Sequence, residues 1–196
     1  MSVVALVLAA GRARRFGSDK RQARLPDGRS LLQAVLQTQL QACDAVIALL
    51  RPDDDWGQAL CADLGVEVRL VPQADEGMGR TLATGLSALL ADEASGVGPP
   101  RFEAALVVLA DMPAVQVGTV QALIHAFQRH GLPACPWHGG RAGHPRLLPR
   151  DRWPDLLDLS GDEGARHRLD WSRACRVEVP DAGVLIDVDT PADLDG

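Results

Sequence analysis

The chain has 196 residues, 46% of them apolar and 23% charged, with a formal net charge of −6. This balance fits a soluble globular protein with a sizeable core and excludes a disordered chain. The negative charge argues against a general nucleic-acid binder, which attracts phosphate through a basic surface. Cys43, Cys61, Cys135 and Cys175 are scattered and form no Cys-x-x-Cys pair, so neither a zinc site, a redox motif nor a disulfide scaffold is indicated.

An apolar run at 3–9 predicts a first strand. It is short, lacks a basic lead-in and runs into charged residues, so it reads as a core strand rather than a signal peptide. A helix is predicted at 31–43, a strand at 45–50, a helix at 56–64 and a strand at 66–71. A helix at 81–90, a strand at 104–109 and a helix at 117–129 follow. This alternation is repeated βα winding, and continuous apolar strands such as 104–109 are expected where helices cover both faces of a sheet. The expected fold is α/β, a doubly wound, mostly parallel sheet in one domain spanning 1–196, Rossmann-like in its winding. The Pro/Gly-rich segment 96–100 reads as an exposed connection. Beyond Gly131 the pattern loosens into loops with short strands at 146–148, 175–179 and 184–188, read as the acceptor side of a site. No stretch approaches the roughly twenty apolar residues of a membrane span, so a cytoplasmic protein without a membrane partner is expected.

The segment after the first strand, Leu8-Ala9-Ala10-Gly11 followed by Arg15, Gly17 and Lys20, combines small residues with cations. Ala10 and Gly11 let backbone N–H groups approach a ligand closely, and Arg15 and Lys20 supply charge for a polyphosphate. A plain glycine-containing loop with solvated arginines has the same local composition. Asp111 ends the most hydrophobic strand, where open α/β sheets collect ligands. It is either a magnesium ligand or a turn cap before Pro113. Asp189 is likewise either a second metal ligand or the cap of a short helix beginning at Pro191. Gly77-Met78-Gly79-Arg80-Thr81 leads into a helix whose N-terminus suits an anion or a base edge, with Thr81 as the specific contact; an ordinary helix cap is the alternative. Neither a Rossmann fingerprint nor a Walker sequence occurs. Arg141, Gly143 and His144, with Arg166 downstream, form either a pocket for a phosphorylated acceptor or simple turns.

In order and spacing these segments resemble the molybdopterin nucleotidyltransferases, most closely the molybdenum cofactor cytidylyltransferase branch. The markers are Leu8-Ala9-Ala10-Gly11 with Arg15, Gly17 and Lys20; Gly77-Met78-Gly79 with Thr81, Leu82 and Gly85; and Asp111-Met112-Pro113. They continue through Gly143-His144-Pro145, Gly161-Asp162 with Gly164-Ala165-Arg166, and Asp187-Val188-Asp189-Thr190-Pro191. The resemblance implies transfer of a nucleoside monophosphate from a triphosphate to a phosphorylated acceptor, with Mg²⁺ as cofactor and pyrophosphate released. It implies that Leu8, Ala9, Ala10, Gly11, Gly79 and Thr81 bind nucleotide and that Arg15 and Lys20 act on the phosphates. By the same resemblance, Asp111 and Asp189 hold metal, and Arg141, Gly143, His144 and Arg166 hold the acceptor. In that group the Ala-Ala-Gly loop accompanies pyrimidine nucleotides and a Gly-Gly form accompanies GTP, so Ala10 points to CTP. The implied acceptor is molybdopterin, and a molybdoenzyme or its chaperone is the implied protein partner. A cytidylyltransferase for another small phosphate, such as methylerythritol phosphate, and a non-catalytic cofactor-binding chaperone are the alternatives. The chain departs from the family pattern at Ala13, Phe16 and Thr81, and most in the run Arg21-Gln22-Ala23-Arg24.

Overall fold

The structure is a computed structural model that describes residues 1–11, 16, 19–94, 101–161 and 168–194. Arg15, Arg166 and the 96–100 connection therefore lie outside the described residues. Four parallel strands form the centre of an eight-stranded sheet: β1 (Val3–Leu8), β2 (Ala45–Leu50), β3 (Glu67–Leu70) and β4 (Ala104–Leu109). The helices between them are α1 (Leu31–Leu40), α2 (Asp55–Leu64) and α3 (Met78–Ala94), and α4 (Val117–His130) follows β4. The remaining strands are β5 (Ala134–His138), β6 (Arg141–Ala142), β7 (Arg146–Pro149) and β8 (Cys175–Glu178).

The sheet order is β3-β2-β1-β4-β7-β5, with β6 and β8 on opposite sides of β5. β7 is antiparallel to both β4 and β5, while β8 runs parallel to β5. Because β7 runs backwards, its amino end lies at the edge where the parallel strands have their carboxyl ends. The loop at 143–145 thus belongs to the same edge as the loops after β1 and β4.

Alternation along β1 divides the core into two layers. Val3, Ala5 and Val7 pack with α1, α2 and α4, whereas Val4 and Leu6 pack with α3 and with Trp153 and Leu156. Each fully buried side chain of this kind stabilises the fold by about 1.5–3 kcal/mol. Local chemistry sets the helix ends. Ser30 and Gln33 form a capping box on α1, Asp54 accepts from the Gly57 N–H at 2.9 Å to start α2, and Gly65 at φ 68° ends it. For α4 the cap comes from far away: Asp181 accepts from the Gln116 N–H at 2.9 Å and the Thr119 hydroxyl at 2.6 Å.

Several sequence expectations are corrected. α1 ends at Leu40 rather than 43, and α3 begins at Met78 rather than Thr81, because Gly79 and Arg80 fall within its first turn. β5 and β6 are absent from the sequence reading, since Pro133, Pro136 and the Gly139-Gly140 turn mask their pattern. The segment expected as a strand at 184–188 is instead a 3₁₀ turn, Ala182–Leu185, followed by irregular chain, because Asp181 caps it by accepting the Gly183 N–H. No helix among the described residues is long and apolar enough to cross a membrane.

Candidate active site

From β1 the chain proceeds to β2 and β3 on one side, and α3 then returns it to β4 on the other. The loops after β1 and β4 diverge at this reversal, the place where open α/β sheets form a ligand crevice. A cleft of about 530 Å³ opens there, lined by Leu8, Ala9, Ala10 and Gly11 from the first loop and by Ala110 and Asp111 from the fourth strand's end.

Lys20 organises the floor of this cleft. It stands on a 3₁₀ turn, Lys20–Gln22, capped by Asp19, whose carboxylate accepts the Arg21 N–H. The Lys20 ammonium donates to Asp111 Oδ2 at 2.9 Å, the Val188 carbonyl at 2.9 Å and Asp189 Oδ1 at 3.2 Å. Desolvation works against the charged form, but the hydrogen bonds and charges of Asp111 and Asp189 outweigh it and hold the lysine pKa above its ordinary value. The Val188 N–H donates to the Asp111 carbonyl at 2.8 Å, docking the C-terminal segment against the end of β4.

The two carboxylates make contacts other than the turn caps that the sequence offered as alternatives. The Asp111 side chain reaches Lys20, and its Oδ1 is buried with no hydrogen-bond partner among the described residues. The turn at Pro191–Leu194 is served by Asp193, which accepts the Asp189 and Thr190 N–H groups, leaving the Asp189 carboxylate to Lys20. An orphaned carboxylate oxygen beside a second carboxylate fits a hard divalent cation that takes its other ligands from water and phosphate.

The second glycine segment borders the cleft through Gly77, Met78 and Thr81. Thr81 is buried and donates its hydroxyl back to the Gly77 carbonyl at 3.3 Å. Gly79 donates its N–H to the Gly161 carbonyl at 2.9 Å and is not among the cleft's lining residues. Of the expected acceptor residues, Arg141 is exposed on β6, and Gly143 packs so tightly that a Cβ would sit 2.2 Å from the Val184 carbonyl. His144 donates its backbone N–H to the same carbonyl at 3.0 Å, and its ring Nδ1 is buried without a partner among the described residues. Burial, reinforced by Arg146, pushes its pKa down to about 4. These three residues do not line the cleft; Gly143 and His144 abut the segment that carries Val188 and Asp189.

The sequence reading missed two cleft arginines, Arg21 and Arg51. Arg51 follows the last residue of β2, and that position at a strand's carboxyl end is a signal that could have found it. Arg21 was visible only as a departure from the family pattern.

Residues 5–177 match the MobA-like NTP transferase domain. The chain belongs to this family. A relative in Mycolicibacterium paratuberculosis, a probable molybdenum cofactor guanylyltransferase, is 31% identical over 201 residues, covering 99% of this chain and 94% of the relative. Among solved structures, Rv0371c from Mycobacterium tuberculosis H37Rv superimposes with a TM-score of 0.79 at 26% identity, over 100% of this chain and 97% of that one. A manganese complex of Rv0371c gives a TM-score of 0.76 at 25% identity, over the same shares of the two chains. As a MobA-like NTP transferase the chain is a nucleotidyltransferase, and its α/β fold is that of the family.

Proposed function

We propose that this protein transfers CMP from CTP to a phosphorylated pterin, molybdopterin, and releases pyrophosphate. The observation that carries this reading is the convergence of Lys20, Asp111 and Asp189 beside the Ala9-Ala10-Gly11 loop. An oxygen of the acceptor phosphate attacks the α-phosphorus as the bond to the bridging β-phosphate oxygen breaks, and the electron pair leaves with pyrophosphate. The acceptor phosphate is ionised at neutral pH, so no protein base is required. The chain contributes positioning and charge. Lys20 offsets charge gathering on the departing phosphates, aided by Arg15 as the resemblance implies. Asp111 and Asp189 would hold Mg²⁺, which supplies charge neutralisation at the phosphate oxygens. Leu8, Ala9, Ala10 and Gly11 form the nucleotide wall with Thr81 and the Gly79 segment. The resemblance assigns Arg141, Gly143, His144 and Arg166 to the acceptor; since Arg141, Gly143 and His144 do not line the cleft, Gly143 and His144 serve it indirectly, by bracing the segment that carries Asp189.

The choice of CTP rests on Ala10. As the resemblance implies, the Ala-Ala-Gly form of this loop goes with a pyrimidine nucleotide; Ala10 itself is 1% exposed and packs into the core layer that holds Val71 and Leu82, while its loop lines the cleft. The guanylyltransferase names of relatives such as the Mycolicibacterium protein favour GTP as the second reading. Competition among CTP, GTP, ATP and UTP in a metal-dependent binding assay separates the two. Pyrophosphate release with molybdopterin, the preferred nucleotide and Mg²⁺ tests transfer itself, because a cofactor chaperone releases none.

A further inference from the structure

Two consecutive carbonyls of the first loop are each held by a guanidinium. Arg21 Nη1 donates to the Ala9 carbonyl and Arg51 Nε to the Ala10 carbonyl, both at 2.7 Å. Both arginines are braced from behind. Arg21 makes a two-pronged contact with Asp19, at 2.8 and 2.7 Å, and pairs with Asp54. Arg51 Nη2 donates to Asp75 at 2.7 Å. Asp54 is itself fixed by its cap on α2, and Gly57 leaves room for it, since a Cβ there would lie 2.5 Å from Asp54 Oδ2. Each guanidinium is therefore neutralised by carboxylates, which reduces its value as a phosphate-binding charge.

The consequence lies in the peptide planes. The His144–Pro145 bond is the one cis peptide among the described residues, so Ala9–Ala10 and Ala10–Gly11 are trans. In a trans peptide the N–H points opposite to the carbonyl. Holding the Ala9 and Ala10 carbonyls therefore sets the directions of the Ala10 and Gly11 N–H groups. The Ala9 N–H is used by the Leu49 carbonyl at 3.1 Å, whereas those of Ala10 and Gly11 have no backbone or side-chain acceptor among the described residues.

We infer that Arg21 and Arg51 are positioning residues for nucleotide selection: they fix the two peptide planes so that the Ala10 and Gly11 amides donate to the nucleotide in one set direction, and that direction discriminates between nucleotides. The inference rests on the reading of this loop as the nucleotide wall. It assigns the arginines a geometric task in place of direct phosphate attraction, and the planar fork makes that task specific to arginine.

The test compares Arg51→Lys and Arg51→Ala with the wild type, measuring CTP and GTP dissociation constants by calorimetry alongside the melting temperature. Asp75 is well exposed, so removing its partner does not threaten the fold. Both variants are expected to lose about tenfold in affinity for the preferred nucleotide, the worth of roughly one hydrogen bond to the loop. The CTP-to-GTP ratio is expected to move toward one in both, with melting retained. Recovery of wild-type affinity and ratio by Arg51→Lys would show a simple phosphate cation and overturn the proposal, as would unchanged binding in Arg51→Ala. For Arg21, the double variant R21M/D54N avoids leaving a buried charge alone and is expected to show the same loss of discrimination. A wild-type protein that binds neither nucleotide saturably would instead refute the nucleotide-wall reading.

Discussion

Lys20 and Asp111, 91 residues apart in sequence, meet at 2.9 Å on the floor of the cleft. The same ammonium reaches Asp189, so one cation serves two carboxylates. Replacing Lys20 with Ala is expected to lower turnover by about two to three orders of magnitude, the usual scale for losing a preorganised electrostatic contact. Far-ultraviolet circular dichroism should be unchanged, since the lysine lies outside both core layers. Turnover near wild type would remove Lys20 from the catalytic machinery.

His144 makes stability depend on pH. In the folded protein burial lowers its pKa to about 4 from the ordinary 6.5, so between these values the unfolded chain binds the proton and the native state does not. Its contribution is fully present above 6.5 and is lost as pH falls toward 4, by up to roughly 3 kcal/mol. Urea midpoints measured from pH 7 to pH 4 should fall more steeply for wild type than for His144→Gln. Parallel curves for the two proteins would contradict the burial argument.

Asp181 joins the start of α4 to the segment leading to Val188. It is 2% exposed and accepts from Gln116, Thr119 and Gly183. Substitution by Ala leaves these donors without their charged acceptor, with an expected loss of about 3 kcal/mol. For a chain of this size that corresponds to roughly 8 °C in melting temperature by calorimetry.

Gly77 has φ 102° and ψ −179°, a conformation restricted almost entirely to glycine, and a Cβ there would lie 2.4 Å from the Gly161 carbonyl group. Gly77→Ala should therefore separate the two loops, breaking the bonds from Gly79 to Gly161 and from Gly161 to Glu76. The expected cost is about 2 kcal/mol or more. Nucleotide affinity should fall as well, because Gly77 and Met78 line the cleft.

Burial, with Asp44 nearby, pushes the Cys43 thiol up to about 12; burial and Asp54 push Cys61 to about 11. At pH 8 each is thiolate in about one part in a thousand or less, and thiolate is the reactive form. Alkylation followed by mass spectrometry should leave both unmodified in the native protein and label them rapidly in denaturant.

The central strands were legible because β1, β2 and β4 are unbroken apolar runs covered on both faces. The helices were legible in kind but less so at their ends, where a first turn such as Met78-Gly79-Arg80 carries weak apolar periodicity. β5 was hidden by its prolines, and the 184–188 segment looked like a strand because its local apolar pattern does not reveal the Asp181 cap. In the site, Lys20, Asp111 and Asp189 could be proposed separately from their motifs. Their joining depends on sheet order, which no local window contains. The tasks of Arg21 and Arg51 were invisible for a related reason: their acceptors are backbone carbonyls, which every residue type carries.

The Lys20 cluster also has a consequence for synthesis. Lys20 and Asp189 are separated by 169 residues, and the Val188 carbonyl that also holds the ammonium arrives just before Asp189. A nascent chain that has emerged as far as Asp111, just beyond β4, carries Lys20 and only one of the two carboxylates that the lysine pairs with in the finished fold. The complete clasp forms only after residue 189 has emerged, so ribosome-bound partial chains carry the first loop without the finished Lys20 cluster.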